Sequence, residues 1–265
     1  MVQACHDSGV RFFSGAVGGG DEAVELAVAH ALVRRASSAE VTEALRIYRP
    51  AAPVLVFGRR DTHHPGFGAA VGAARSAGFQ PLVRAVGGRP VAYTPSALVV
   101  DHVKHEVLAP EGLESRFRQF GELYAGVLRE LGADARVGAV PGEYCPGAHS
   151  VNARGVAKLV GTGQRVVRNG WLFSALIVVG DEQQLRPLLT DVYCHLELPF
   201  EATSVGSVSA EVPGVDAATV ERRILAAYAV TDPLEPTALD AATMDLATSL
   251  VADHRVGPSF MPPMT

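Results

Sequence analysis

Three short segments hold the residue types best suited to bond-making chemistry. Gly142-Glu143-Tyr144-Cys145-Pro146-Gly147 frames a cysteine with proline and two glycines, which suits a tight loop better than a packed strand. A thiolate there is a nucleophile once a neighbouring cation lowers its pKa. The other reading of Cys145 is a small apolar core residue, the common state of a free cysteine. Cys5, near the N-terminus, and Cys194, in an apolar Val-Tyr-Cys-His-Leu run, lack such a frame.

The second segment is Gly155-Val156-Ala157-Lys158-Leu159-Val160-Gly161-Thr162-Gly163-Gln164-Arg165. Lys158 lies between apolar residues in an expected strand, an expensive place for an ammonium without a partner. Of the 23 basic residues only Lys104 and Lys158 are lysine. Where arginine serves nearly every cationic purpose, a position that stays lysine points to a need for a compact charge. A snorkelling surface lysine is the alternative.

The third is Arg84-Ala85-Val86-Gly87-Gly88-Arg89-Pro90-Val91. Paired glycines let backbone approach a ligand closely and present free N–H groups, and Arg84 can pair with an anion. The alternative is an ordinary glycine turn with a surface arginine.

The elements that must position these segments follow from the pattern. Residues 21–36 form a helix with acids first and arginines last, and residues 114–131 a strongly amphipathic one stopped by Gly132. Residues 43–60 read as two strands, paired or neighbouring, parted by Pro50 and Pro53. A helix after Pro65 and two strands around the Gly87-Gly88 turn come next. Strands surround Asn169-Gly170, a hairpin signal. Beyond 182, short helical segments broken by Pro187, Pro199 and Pro213 predict a helical extension, with a poorly ordered tail from Arg255. Segregated helices around a mixed sheet argue α+β.

With 265 residues, 48% of them apolar, the chain buries one large domain with a smaller appendage. A net charge of −5 with scattered arginines excludes a nucleic-acid footprint. No apolar run reaches a membrane span and no signal-peptide pattern opens the chain, so a cytoplasmic location is expected. Three widely spaced cysteines argue against disulfides and structural zinc, and no metal is expected.

Taken in order, the pieces resemble the lipoate–biotin ligase and octanoyltransferase superfamily, and most closely its cysteine-dependent amidotransferase branch. They are Asp61-Thr62 with Pro65, Arg84-x-x-Gly87-Gly88-x-Pro90-Val91, Gly142-x-x-Cys145-Pro146-Gly147 and Lys158-x-x-Gly161-x-x-Gln164-Arg165. The resemblance covers about residues 20–210. It implies an α+β lipoate/biotin ligase fold, a mixed sheet flanked by helices with a tunnel for an aliphatic chain. The catalytic domain is expected over residues 1–182, with a mainly helical extension over 183–265. Carried over by position, Cys145 is the acyl-accepting nucleophile and Lys158 holds the acyl carbonyl. Arg84, Val86, Gly87, Gly88, His149, Val160, Gly161, Thr162 and Gln164 are the expected substrate-binding residues.

Ligases of this superfamily usually carry three consecutive glycines and an aromatic-His-Asp tail in the first motif. Here Arg89 follows two glycines and Ala92-Tyr93-Thr94 follows Val91, which weakens a ligase reading. His149 and Ser150 stand where the amidotransferases commonly have an aromatic and an acid, leaving His149 as the candidate base. The resemblance implies octanoyl or lipoyl transfer in protein lipoylation, through a Cys145 thioester, with no tightly bound cofactor. The implied partners are lipoyl-domain carriers: the glycine cleavage H protein and 2-oxoacid dehydrogenase acyltransferase subunits. The alternatives are a lipoate–protein ligase using ATP and Mg, and a non-catalytic lipoyl-domain or acyl-binding protein.

Overall fold

The structure, a computed structural model, describes residues 9–257. In chain order, β1 (Val10–Ser14) and α1 (Glu22–Ser37) lead to β2 (Glu43–Tyr48), β3 (Val54–Phe57), α2 (Phe67–Ser76), β4 (Gln80–Val83), β5 (Val91–Tyr93), β6 (Ala97–His105) and α3 (Leu113–Glu130). β7 (Ala135–Val137), β8 (Val151–Ala153), β9 (Ala157–Val167) and β10 (Gly170–Val178) follow, then α4 (Glu182–His195), α5 (Val208–Glu211), α6 (Ala217–Ala229), β11 (Leu234–Pro236) and α7 (Ala241–Leu250). An eight-stranded mixed sheet runs β11-β1-β2-β6-β10-β9-β8-β7, and a three-stranded sheet runs β4-β3-β5. The α+β expectation holds.

Strand alternation assigns the two faces of the large sheet. Leu98 and Val100 of β6 join Phe173, Ala175 and Ile177 of β10 in one apolar cluster with α3 and α6. The intervening Val99, Leu176 and Val178 face the small sheet, α2 and α4, while Val103 and Leu172 lie under α1 and α7. The face with the small sheet carries the three segments singled out above.

The strands expected over 43–60 form but do not pair: β2 enters the large sheet and β3 the small one. Pro50 and Pro53 lie in the intervening turn, where Glu22 accepts the N–H groups of Ala51 and Ala52. The Gly87-Gly88 turn likewise does not close a hairpin, because β4 and β5 each pair with β3, one on either side. The turn is therefore held above the small sheet's end. At residue 58 a side chain would strike the carbonyl of Gly88, so the glycine there permits close approach of the two backbones. The β9–β10 hairpin forms as expected, with Asn169 at φ +57° in its two-residue loop.

Residues after 182 are more than an addition to a finished domain. α4 runs unbroken through Pro187, its sixth residue, where the missing N–H removes one helical hydrogen bond just past the first turn. Leu185, Leu188, Leu189, Val192 and Tyr193 of α4 belong to the core shared with the small sheet. β11 pairs in parallel with β1 and supplies the large sheet's edge. Cys5 and the final eight residues lie outside the described residues.

Candidate active site

Cys145 sits in the long loop between β7 and β8, in the left-handed region at φ +42°, with Gly142 at φ +69° three residues earlier. A non-glycine residue holds that conformation only where its surroundings fix it. Two anchors do so. The Cys145 N–H donates to the hydroxyl of Tyr193 at 2.6 Å, and its carbonyl accepts from Lys158 Nζ at 2.8 Å. The thiol, half-buried, points towards the Gly87-Gly88 turn, where the Arg89 N–H lies 3.2 Å and Arg84 Nη2 3.5 Å from Sγ.

Burial alone pushes the Cys145 thiol up. The guanidinium of Arg84, the ammonium of Lys158 and the Arg89 N–H outweigh it, so the thiol lies below its usual value. Arg84 shows the reciprocal effect: burial pushes it down, and Cys145 and Tyr93 more than offset this. The segments bearing Cys145, Arg84 and Lys158 thus converge in one place, where the thiol packs against the core on one side and meets Arg84 and the Arg89 N–H on the other.

Lys158 is 1% exposed and its ammonium is fully engaged. It donates to the carbonyls of Tyr144 at 3.0 Å and Cys145 at 2.8 Å and pairs with Glu143 Oε2 at 2.9 Å. The surface-lysine reading is excluded. Glu143 was not anticipated from sequence. Its Oε1 accepts the N–H groups of Val140 and Gly147 at 3.2 Å each, closing the loop on itself.

Asp61, of the Asp-Thr pair, accepts from the Gly58 N–H at 2.9 Å and pairs with Arg89 Nη1 at 2.8 Å, fixing the end of the glycine turn. A cleft of about 390 Å³ opens at this turn, lined by Arg59, Arg60, Gly87, Gly88, Arg89 and Cys145. Behind the thiol, Val86, Val91, Tyr93, Gly161, Thr162 and Leu176 border a cavity of about 20 Å³. A second of about 20 Å³ shares Arg84, Val86, Tyr93 and Ser174 and reaches Tyr48 and Asp101. Each has room for about one water. The expected open tunnel is thus two small pockets in series, the inner one with polar groups in its wall.

Three expected lining residues are elsewhere. Val160 is buried in the cluster under α3, and Gln164 accepts from Arg116 and donates to the Leu113 carbonyl, also towards α3. β9 alternates, so Gly161 and Gly163 face the site while Val160 and Gln164 face away. His149 hydrogen-bonds Glu114 at 2.7 Å and stacks on Phe117, again on the α3 side, so it does not join Cys145. A larger cavity of about 420 Å³, between α3 and the end of α6, is on that same far face. Several of its polar groups pair with one another, Glu43 with His102 and Lys104 and Arg116 with Glu106, and Asp232 also lines it.

The description Lipoyl protein ligase A/B catalytic domain matches residues 21–229. The chain belongs to this family. The match crosses residue 182, in keeping with the packing of α4 into the shared core. An octanoyl-[GcvH]:protein N-octanoyltransferase from Lysinibacillus sphaericus is 26% identical over 140 residues, 52% of this chain and 50% of that protein. The chain thus matches about half the length of that curated relative. In fold it resembles a bi-partite lipoate protein ligase of Thermoplasma acidophilum, studied with its E2 lipoyl domain, at TM-score 0.69 and 19% identity, covering 92% of each chain. A lipoate-protein ligase A bound with ATP aligns at TM-score 0.72 and 18% identity, over 92% of this chain and 94% of that one. No described helix is long and apolar enough to cross a membrane, and no group of three or more His, Cys, Asp or Glu able to hold a metal occurs among the described residues.

Proposed function

We propose that this family member is an acyltransferase that moves an octanoyl or lipoyl group to or between lipoyl-domain lysines through a thioester on Cys145. The observation that carries the reading is the environment of Sγ, which meets Arg84 and the Arg89 N–H and is held below its usual pKa. A ligase that activates free acid with ATP has no use for an activated thiol at this position. The reaction balances without a cofactor. Sulfur adds to the acyl carbonyl of an acyl-lysine, the C–S bond forms, and the C–N bond breaks. The proton of the thiol leaves on the freed lysine amine, and a second lysine reverses the steps. Carriers of the kind named by the relatives, the glycine cleavage H protein and E2 lipoyl domains, are the proposed partners.

The tail would enter past Val86, whose side chain walls both inner pockets. Burying a chain of about six methylenes gains roughly 5 kcal/mol, enough to offset displacement of a few side chains. The test mixes the protein with an octanoylated carrier domain and reads intact mass. An octanoyl adduct present in the wild type and Cys194→Ala, and absent in Cys145→Ala, is the expected result. Transfer that needs octanoate and ATP and survives Cys145→Ala would establish the ligase instead. Carrier binding without adduct or transfer would leave a binding protein.

A further inference from the structure

We infer that Asp101 selects the acyl tail, so that the innermost pocket favours a chain whose far end carries a hydrogen-bonding heteroatom, oxygen or sulfur, over a plain hydrocarbon end such as that of octanoyl. The inference deepens the acyltransferase reading and rests on it for an acyl chain being the occupant. The polarity of the pocket's end is read from the sheet itself.

The two pockets behind the thiol follow a furrow that crosses four strands of the large sheet. Register sets Gly163, Ser174, Asp101 and Arg46 in one row across β9, β10, β6 and β2, and Gly161, Leu176, Val99 and Tyr48 in the next. The pocket beside Cys145 lies over Gly161, Gly163, Ser174 and Leu176. The second lies over Ser174, Val99, Asp101 and Tyr48. A tail that starts from Cys145 over β9 therefore arrives over β6 after two strand spacings, about 9–10 Å. This is the reach of an extended octanoyl chain, and its far end stops at Val99 and Asp101.

Asp101 presents an uncommitted oxygen there. The residue is 2% exposed, and its Oδ1 accepts from Ser174 Oγ at 2.5 Å. Its Oδ2 lies 4.0 Å from Arg46 Nη1, too far for a hydrogen bond, and no other donor among the described residues reaches it. Arg46 is held instead by Glu25, which accepts from it through both carboxylate and backbone carbonyl, so that ion pair is balanced without Asp101. Burial pushes the Asp101 carboxyl up, and Arg46 and Ser174 offset only part of this. As a carboxylate, Oδ2 needs a donor; as an acid, its proton needs an acceptor. A hydroxyl at the tail's end serves either state, and a ring sulfur serves the second. A methyl serves neither and, seated against Oδ2, also shuts out water.

The test begins with calorimetry of free acids on the whole chain, which needs no acyl transfer. ω-Hydroxyoctanoate and nonanoate have the same length and differ by a hydroxyl in place of a methyl, and lipoate supplies the sulfur arm. The wild type is expected to bind ω-hydroxyoctanoate or lipoate about tenfold or more tightly than nonanoate, and whichever does so names the heteroatom. An apolar pocket gives the reverse order for the matched pair. Asp101→Leu, which leaves the Arg46–Glu25 pair in place, is expected to put nonanoate first, whereas Ser174→Ala keeps the wild-type order. Thermal unfolding checks both variants, and the order in the wild type and Ser174→Ala still decides if Asp101→Leu does not fold. Nonanoate binding as tightly as both other acids in the wild type, an unchanged order in folded Asp101→Leu, or binding of none of the acids overturns the inference. The second arm reads Cys145 loading by intact mass from carrier domains bearing octanoyl or the preferred chain, with faster loading of the preferred chain expected. Octanoyl loading as fast or faster also overturns the selection. Loading from neither carrier, with the order of the acids as expected, removes the acyltransferase reading and leaves the selection by Asp101 standing.

Discussion

The Tyr193 hydroxyl bridges two backbones: it accepts the Cys145 N–H at 2.6 Å and donates to the Pro90 carbonyl at 3.0 Å. One phenol thus joins the loop that carries the thiol to the strand that follows the glycine turn. Tyr193→Phe removes both bonds and leaves a buried donor and acceptor unpaired, at a cost of about 1–3 kcal/mol for each. Octanoyl transfer is expected to fall by at least tenfold while Cys145 remains alkylatable. Chemical unfolding and transfer rates on one preparation check this, and wild-type rates would show that the bridge is structural ornament only.

Tyr193 also shows what sequence could and could not reveal. The cysteine loop was readable because glycine and proline mark it, and Lys158 because lysine is so scarce in this chain. Tyr193 lies 48 residues beyond Cys145 in a segment read as an appendage, and in sequence it is one more apolar position on a helix face. Its role exists only once α4 packs beside the loop. Glu143 was adjacent to the cysteine but unmarked, since its meaning comes from Lys158 lying across the loop. His149 misled for the opposite reason: it is near Cys145 in the chain, yet the loop turns it towards α3. For Val160 and Gln164 the strand's period of two was not enough, because Lys158 shares their parity and reaches the site only through a register shift between it and Val160.

Lys158→Met leaves Glu143 as a buried carboxylate without its ion-pair partner. Breaking a buried pair on one side costs about 3–5 kcal/mol, so this variant is expected to unfold well below the wild type. Lys158→Arg keeps the charge but forces a wider, planar group into a site fixed by two carbonyl acceptors and the Glu143 carboxylate. It is expected to cost about 1–3 kcal/mol through overpacking and to slow transfer through the displaced loop. Thermal melts of both decide this, and an arginine variant with the wild-type Tm and rate would show that no compact cation is needed.

Gly88→Ala tests the close approach at the site itself. The residue has φ +116°, and its new methyl would meet Arg84 and the thiol together. Gly87, by contrast, has no heavy atom within 4 Å of where a Cβ would stand. Gly88→Ala is therefore expected to abolish octanoyl loading of Cys145, whereas Gly87→Ala retains it within a few-fold. Intact-mass loading assays on the two variants provide the comparison, and similar loading by both would break the geometric argument.

The acid limb of stability should be set in part by a histidine pair beside Arg84. His254 Nδ1 donates to the Val83 carbonyl at 2.7 Å, which leaves its Nε2 to accept from His30 Nδ1 at 3.3 Å. His30 Nε2 is then a buried bare acceptor with no partner. Protonating it would put charge where it can neither be solvated nor paired, beside His254 and within the field of Arg165, Arg34 and Arg59. Burial first, and then these neighbours, hold His30 down at about 4; burial likewise lowers His254. The sign follows from proton counts. Between the ordinary histidine value of about 6.5 and about 4, the unfolded chain binds more protons than the folded one, so stability falls as pH drops through this window. Above about 6.5 neither state protonates the pair and its contribution is flat. The melting temperature is expected to decline from pH 6.5 to 4 more steeply in the wild type than in His30→Gln, a neutral residue with no proton to gain. Because the pair anchors to Val83, next to Arg84, octanoyl transfer by the wild type should be lost earlier in the descent than global structure. Parallel slopes in wild type and variant across that range would remove the pair as the source of acid sensitivity.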